Sequence, residues 1–315
     1  MARQKDDEWF QDEAFWDRFA PIMFDEQRWA EVPAVADGIE AIYRSVAGAG
    51  QNGSAGTGTG QHGGAAGISA ADDTGAASGA VAGTGTGQQV AAVDTGAAPS
   101  GNRTALVSSS TGLAILDQCC GLGRLSVELA LRRHRLTGID ITPSYLEAAR
   151  ESADDEGLSI EFIQVDVRRF VRPDFYNLVL NLYTSFGYFA DASDDRQVVA
   201  NAYESLVSGG LYIIETLGKE IAVRDFTEGE WFERAGAVVL TEFEPVNGWE
   251  YLNNRWLLIQ GGERFERTFM QRLYAATELR RLMLDVGFTA VSVYGDWDRR
   301  PYDYRALKLI VVGKK

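Results

Sequence analysis

An α/β fold, with a mostly parallel sheet and helices on both faces, is what this sequence predicts, on three observations. From Ala114 onward, short apolar runs alternate with stretches of helical periodicity, the pattern of repeated βα units. The first run, Ile115-Leu116-Asp117, passes through Gln118 and two cysteines into Gly121-Leu122-Gly123 and opens a helix at Arg124, as a nucleotide-binding βαβ half does. The next run, Leu136-Thr137-Gly138-Ile139-Asp140, ends in a carboxylate placed to accept both hydroxyls of a ribose. Gly121 and Gly123 fit the same chemistry, because without a Cβ the main-chain N–H groups approach a ligand closely. The third glycine of a dinucleotide fingerprint is missing, Ser126 standing in its place, which weakens a nicotinamide-dehydrogenase reading.

The chain starts with an aromatic segment. Trp9, Phe10, Phe15, Trp16, Phe19, Ile22, Met23, Phe24 and Trp29 recur at helical spacing among acidic residues, so two or three short amphipathic helices are expected over 1–46. Such an aromatic load needs a surface to pack on, either for stability alone or also as a lid over a site. From Ala47 the composition turns to Gly, Ala, Thr, Ser and Gln, with Gly-Thr-Gly-Thr-Gly-Gln occurring twice. Residues 47–110 lack the apolar bulk that offsets the entropy of ordering and are expected to be a disordered insertion. Their glycines do not make a phosphate loop, since no strand precedes them and no Gly-Lys-Ser/Thr follows.

The core is expected over 111–315. Strand one is 114–117, the first core helix 124–133 and strand two 136–140; a helix over 143–156 has Pro143 in its first turn and Thr142 as its cap. Strands three and four are 160–165 and 178–182. A helix over 195–207 leads through a Ser208-Gly209-Gly210 turn to strand five, 211–215. A helix over 277–286 is closed by Gly287, and strands six (290–294) and seven (306–312) end the chain. Within 219–275 the runs 237–244, 256–259 and 267–270 alternate apolar and polar residues. They predict an antiparallel meander inserted after strand five, where it covers the carboxyl ends of the strands and any ligand there.

A chain of 315 residues, less the insertion, suffices for one α/β domain with a sizeable core. Its net charge of −15 and pI near 4.7 argue against a nucleic-acid partner, whose backbone needs a basic face. The only cysteines, Cys119 and Cys120, are adjacent in the glycine turn. A disulfide there would be strained, and no histidine stands nearby at metal-ligand spacing. Reduced thiols are expected, and no metal. The N-terminus is charged where a signal peptide is apolar, and no window reaches the length of a membrane span; the expectation is a soluble cytoplasmic protein without a membrane partner. Neither histidine, His62 in the insertion or His134 at the basic end of the first core helix, is placed as a general base.

Four ordered segments carry a resemblance. Asp117-Gln118-Cys119-Cys120-Gly121-Leu122-Gly123-Arg124, Gly138-Ile139-Asp140, Asp166-Val167-Arg168 and the stretch Asn181-Leu182-Tyr183-Thr184-Ser185-Phe186-Gly187-Tyr188-Phe189 together resemble the class I S-adenosylmethionine-dependent methyltransferases, in a bacterial methyltransferase-domain branch. The similarity runs from Thr111 to the C-terminus, with a weaker match in the first forty residues. It implies a Rossmann-like seven-stranded sheet with an antiparallel last strand, and S-adenosylmethionine as cofactor. Asp117, Cys120, Gly121, Gly123 and Arg124 would then lie near its methionine part, Asp140 and Ile141 at the ribose, Asp166 and Val167 at the adenine edge, and Asn181 and Leu182 at the floor. The family places acceptor-facing residues after strand four, which implies Tyr183, Ser185, Phe186 and Tyr188; Arg272 and Tyr274 mark the return of the covering strands, where Arg272 could grip a substrate carboxylate or pair with an acidic side chain. With histidine unplaced, proton removal would fall to Tyr183, Tyr188, Glu215 or water. The expected activity is in-line methyl transfer to a nitrogen or oxygen of a small molecule, the alternatives being a protein or RNA acceptor or a non-catalytic cofactor-binding module.

Overall fold

The computed structural model describes residues 5–48 and 112–315. The expected insertion, His62 included, lies outside the described residues apart from its first two positions, which continue a helix. The N-terminal segment is a 3-10 helix (Lys5–Gln11) followed by α1 (Glu13–Met23), α2 (Glu26–Ala30) and α3 (Val32–Gly48). Asp12 and Asp25 cap α1 and α2 by accepting the Phe15 and Arg28 N–H groups.

Five parallel strands follow, β1 (Ala114–Gln118), β2 (Arg135–Asp140), β3 (Glu161–Gln164), β4 (Tyr176–Asn181) and β5 (Leu206–Thr216), alternating with α4 (Arg124–Leu131), α5 (Pro143–Asp155) and α6 (Ala192–Ser205). After α7 (Lys219–Arg224) come β6 (Gly229–Arg234), β7 (Ala237–Val246), β8 (Tyr251–Gln260) and β9 (Glu263–Arg272), an antiparallel four-stranded sheet in sequence order. Then α8 (Ala276–Val286), β10 (Ala290–Tyr294) and β11 (Leu309–Lys314) complete the main sheet, whose seven strands run β10-β11-β5-β4-β1-β2-β3. The last strand, β11, is antiparallel to both neighbours. Strand order reverses between β1 and β4, so a crevice opens at their carboxyl ends.

Alternate residues of the strands feed two cores. On one face Ile115, Leu178 and Ile213 pack under Val35, Ile39 and Ile42 of α3; on the other, Leu116, Val179 and Ile214 join a cluster with Phe15 and Phe19 of α1 and Val239 and Phe269 of the small sheet. The N-terminal segment is thus two things: α3 is a layer of the main fold, while α1 packs on the antiparallel sheet.

Several element bounds differ from expectation for local reasons. β5 begins at Leu206, directly after α6, because Ser208-Gly209-Gly210 forms an irregularity inside the strand: pairing jumps from Tyr176 opposite Leu206 to Leu178 opposite Leu211, with Gly209 at φ 76°. α6 starts before Asp195 because Asp191 caps it, accepting the Ser193 N–H. Thr142 holds the cap position of α5, yet its hydroxyl makes no capping bond; its N–H donates to Asp140 instead. α4 ends at Leu131, and Arg133 turns at φ 70°. β11 begins at Leu309, with Ala306 in the preceding turn. The meander has a further strand, β6, whose Gly-Glu-Trp-Phe-Glu-Arg sequence is too charged to show apolar alternation.

Candidate active site

The turn after β1 is a cradle. Cys119, Gly121 and Gly123 take positive φ (56°, 55° and 71°), which brings main-chain N–H groups round to one side. Gly123 is glycine for packing: a Cβ there would lie 2.8 Å from the Ala149 Cβ and 3.1 Å from the Phe162 ring. Gly121 faces the crevice, and its N–H donates to Asp140 Oδ2 at 2.8 Å, while the Thr142 N–H donates to Oδ1 at 2.9 Å. Two amides therefore fix the Asp140 carboxylate, and each oxygen keeps acceptor capacity for a ligand. Ser126, the residue in place of a third glycine, donates to Asp117 Oδ2 at 2.6 Å. Burial pushes the Asp117 carboxyl up to about 7, against the lowering by Ser126 and with a further rise from Asp140. Burial and the surrounding carboxylates also push both cysteine thiols well up, so they stay protonated.

Asp166 follows β3 and faces the same crevice. Partial burial works against its ionisation, yet hydrogen bonds from the Arg168 side chain and N–H prevail and hold it below the usual carboxylate range. Arg168 also reaches Glu8 and Asp194, both at 3.0 Å, and lies over the Phe10 and Phe189 rings. One guanidinium thus ties the N-terminal 3-10 helix to the end of β3 at the crevice. Arg124 is the opposite case. It is buried among Phe24, Tyr183 and Trp29, its guanidinium carbon 4.9, 5.2 and 5.6 Å from their ring centroids. Its Nη1 has no hydrogen-bond partner, and among the described residues no carboxylate lies within ion-pair distance.

Beyond β4, Tyr183 and Thr184 take positive φ (56° and 61°) and are held by Glu215: Tyr183 N–H donates to Glu215 Oε2 at 2.7 Å and Thr184 N–H to the Glu215 carbonyl at 3.2 Å. These residues, the cradle and the small sheet enclose one cavity of about 770 Å³. One half is the strand ends; the other is the inner face of the small sheet, with Val239, Thr241, Phe243, Asn254, Trp256 and Phe269, roofed by Trp9, Phe15 and Trp16.

Comparison with known proteins decides the family. A methyltransferase-domain family profile matches residues 115–210. The chain is 31% identical over 207 residues to a Geobacillus sp. (strain WCH70) protein provisionally named a methyltransferase, a match covering 64% of this chain and 84% of that one. The chain belongs to the class I S-adenosylmethionine-dependent methyltransferases. Solved structures agree in fold: the CcbJ methyltransferase from Streptomyces caelestis (TM-score 0.58, 18% identity) and an S-adenosylmethionine-dependent methyltransferase from Clostridium acetobutylicum ATCC 824 (TM-score 0.57, 13% identity) each cover 64% of this chain, and 83% of their own.

The cofactor of this methyltransferase is S-adenosylmethionine, and the cradle fits such a group: a carboxylate aligned by two amides, an unpaired buried arginine, and a glycine at which a Cβ would come within 3.3 Å of Phe24. Of the residues expected around it, Asp117, Cys120, Gly121, Arg124, Asp140, Ile141, Asp166, Val167 and Leu182 line the cavity. Gly123 and Asn181 do not. Asn181 lies beneath the floor, where its Nδ2 donates to Gln118 Oε1 at 3.5 Å. Tyr183, Ser185, Tyr188 and Glu215 line the cavity as well.

Three residues expected at the substrate are elsewhere. Phe186 is buried against the Tyr274 ring, with centroids 5.3 Å apart, and Tyr274 Oη donates to Asp195 Oδ2 at 2.8 Å. Arg272 reaches Asp195 at 3.4 Å and pairs with Glu250. The carboxylate grip considered for Arg272 therefore gives way to the ion-pairing alternative: its charge is used to anchor β9 on α6. His134 accepts the Leu113 N–H and faces Glu40, outside the cavity. Sequence reasoning missed Thr241, Asn254, Trp256 and Gln271 as cavity residues. The period-two alternation of the meander carried the signal, since all four share its inward face.

Among the described residues, no helix is long and apolar enough to cross a membrane.

Proposed function

We propose that this methyltransferase transfers a methyl group to a nitrogen or oxygen atom of a small molecule held in the sheet half of the cavity. The observation that carries the reading is the size of the cavity and the aromatic lining of its sheet half. A volume of about 770 Å³ lies in the range of small-molecule sites, and its acceptor half is lined by Trp9, Phe15 and Trp16 on one side and the small sheet on the other. The net charge of −15 disfavours RNA.

When bound, S-adenosylmethionine supplies a methyl group already activated by its sulfonium. The protein's task is therefore positioning, which in well-oriented reactions is worth about 7–11 kcal/mol. In this reading Asp140 holds the ribose, Asp166 and Val167 the adenine edge, and Asp117, Cys120, Gly121 and Arg124 the methionine end, with Ile141 and Leu182 as walls. The N-terminal segment through α1 is the lid over the site, tied down by Arg168, and residues 219–275 are its fixed cover. Burial raises the Tyr183 hydroxyl to about 12, so it stays protonated and donates, while Glu215 accepts the acceptor's proton where one must leave. Tyr188, packed against Trp9 and Trp16 with its pKa also raised by burial, orients the acceptor. The reduced pair Cys119 and Cys120 suits a cytoplasmic enzyme.

The test is transfer of radiolabelled methyl from the cofactor to a panel of small amines, phenols and carboxylates, run beside bulk protein and RNA. Label in a panel member supports the reading. Label only in protein or RNA sinks it.

A further inference from the structure

We propose that the acceptor is an uncharged aromatic ring bearing hydroxyl or carbonyl groups, and that Thr241, Asn254 and Gln271 select it. The inference rests on the sheet half of the cavity being the acceptor chamber. The three residues come from neighbouring strands and all line the cavity. Gln271 stands opposite Leu252, two residues before Asn254; Thr241 stands opposite Trp256, two residues after it. The side-chain amides and hydroxyl therefore run as a diagonal stripe across one face of the sheet.

These polar groups are deeply buried, with exposures of 4% for Thr241, 3% for Asn254 and 8% for Gln271. The Thr241 hydroxyl and the indole N–H of Trp256 beside it have no hydrogen-bond partner within the protein. Asn254 spends one N–H on the Leu252 carbonyl at 2.9 Å and keeps its oxygen. Buried polar groups are normally satisfied, so unpartnered ones on residues that line a cavity point to a ligand that completes them.

The charges around the cavity lie elsewhere. Asp117, Asp140, Asp166, Glu215 and Arg124 belong to the strand ends, while Arg28, Glu230 and Arg234 are exposed, Arg28 lying 3.9 Å from Glu31 and Arg234 paired with Asp25 at 3.0 Å. Arg267, opposite Trp256 in the sheet, is turned to Asp12 at 3.3 Å. An ionised acceptor would shed its hydration in the chamber without meeting a counter-charge. A sugar, with hydroxyls all round its ring, asks for more polar partners than the stripe holds. A flat neutral ring meets what is there: the faces and edges of Trp9, Tyr188 and Phe269, and a few neutral donors and acceptors on one side.

The full chain, saturated with S-adenosylhomocysteine, is titrated at mildly acidic pH, where the aldehyde's phenols are un-ionised and the carboxylate is ionised, with protocatechualdehyde, its carboxylate counterpart protocatechuate, and xylose, and binding is read by calorimetry and thermal shift. The neutral aldehyde is expected to bind and the other two not. Thr241→Val and Gln271→Met, both close to the native volume, are each expected to weaken aldehyde binding about threefold to tenfold, as for one lost neutral hydrogen bond, with affinity for S-adenosylhomocysteine unchanged. That unchanged affinity certifies the fold, and a variant that loses it is replaced by the other. Tighter binding of the carboxylate or the sugar, no binding of the aldehyde, or unaltered binding by the variants each overturns the proposal. Methyl transfer to a charged or sugar acceptor would leave the small-molecule reading standing and remove only this one; cofactor-product binding without transfer to any small molecule would remove the reading beneath it.

Discussion

The two halves of the cavity are built differently. The cofactor half is local: Asp117 to Arg124 form one turn, and Asp140 and Asp166 follow the next two strands of the same sheet. Its polar groups are arranged by main-chain amides, as Gly121 and Thr142 arrange Asp140. The half proposed to hold the acceptor joins distant segments, with Trp9 stacked on Phe269 at 4.1 Å between centroids and Arg234 of β6 donating to the Ile22 carbonyl of α1. The difference teaches that one half is set by connectivity, since successive right-handed βα units can put their strand tips in only one place. The other is set by packing between segments that share no local constraint.

The largest effect expected from breaking the local half is at Asp140. Asp140→Ala removes the two oxygens proposed to accept ribose hydroxyls and leaves the Gly121 and Thr142 N–H groups unpaired. Charge-assisted hydrogen bonds contribute about 1.5–3 kcal/mol each, so affinity for S-adenosylhomocysteine should fall about 100-fold or more by calorimetry. Affinity within threefold of the parent would mean that the ribose does not lie at the end of β2.

A smaller effect separates the halves by pH. The Asp117 carboxyl is pushed to about 7, chiefly by burial, above its ordinary unfolded value near 3.9. The folded protein therefore holds a proton that the unfolded chain has released. Its stabilising contribution is fully present below about pH 4 and is lost as pH rises through about 7. Asp195, also raised to about 7 by burial, carries the same sign on the far side of the small sheet. The melting temperature of the cofactor-free protein should thus drop by several degrees between pH 5 and 8, relative to Asp117→Asn, which should keep only the Asp195 share. The cationic ammonium of the cofactor's methionine end favours ionised Asp117, so cofactor affinity should rise over the same window in the parent and stay flatter in Asp117→Asn. Parallel slopes in the two proteins would show that Asp117 is not the titrating group.

The same contrast explains what could be read from residues alone. Alternating runs, the glycine turn and strand-terminal carboxylates revealed the main sheet and most of the residues that line the crevice at its strand ends, because each signal is local to a few residues. Two residues expected there lie outside the cavity lining, also for local reasons: the missing Cβ of Gly123 makes room for Ala149 and Phe162, and Asn181 is buried beneath the floor. Across the cavity, the aromatic load of the N-terminal segment showed that something would be covered, not what. Arg272 and Tyr274 looked equally suited to a ligand or to a buried ion pair, and only the position of Asp195, brought in by α6, separates the two. Thr241, Asn254 and Gln271 appear as ordinary polar residues until register puts them on the inward face.

The smallest effect sharpens the contrast by touching neither half. His134 is the only histidine among the described residues, and a general base would usually be sought there. Its Nδ1 accepts the Leu113 N–H at 3.1 Å and its Nε2 lies 3.3 Å from Glu40, which joins the start of β1 to α3 and puts the ring outside the cavity lining. His134→Ala should therefore cost about 1 kcal/mol of stability for the lost hydrogen bond, a fall of about 2–4 °C in Tm for a domain of this size. It should leave kcat and its pH dependence unchanged once a methyl acceptor is in hand. A change in the pH profile would mean that the ring reaches the reacting atoms by a rearrangement of α3, and proton removal would then have to be reassigned from Glu215.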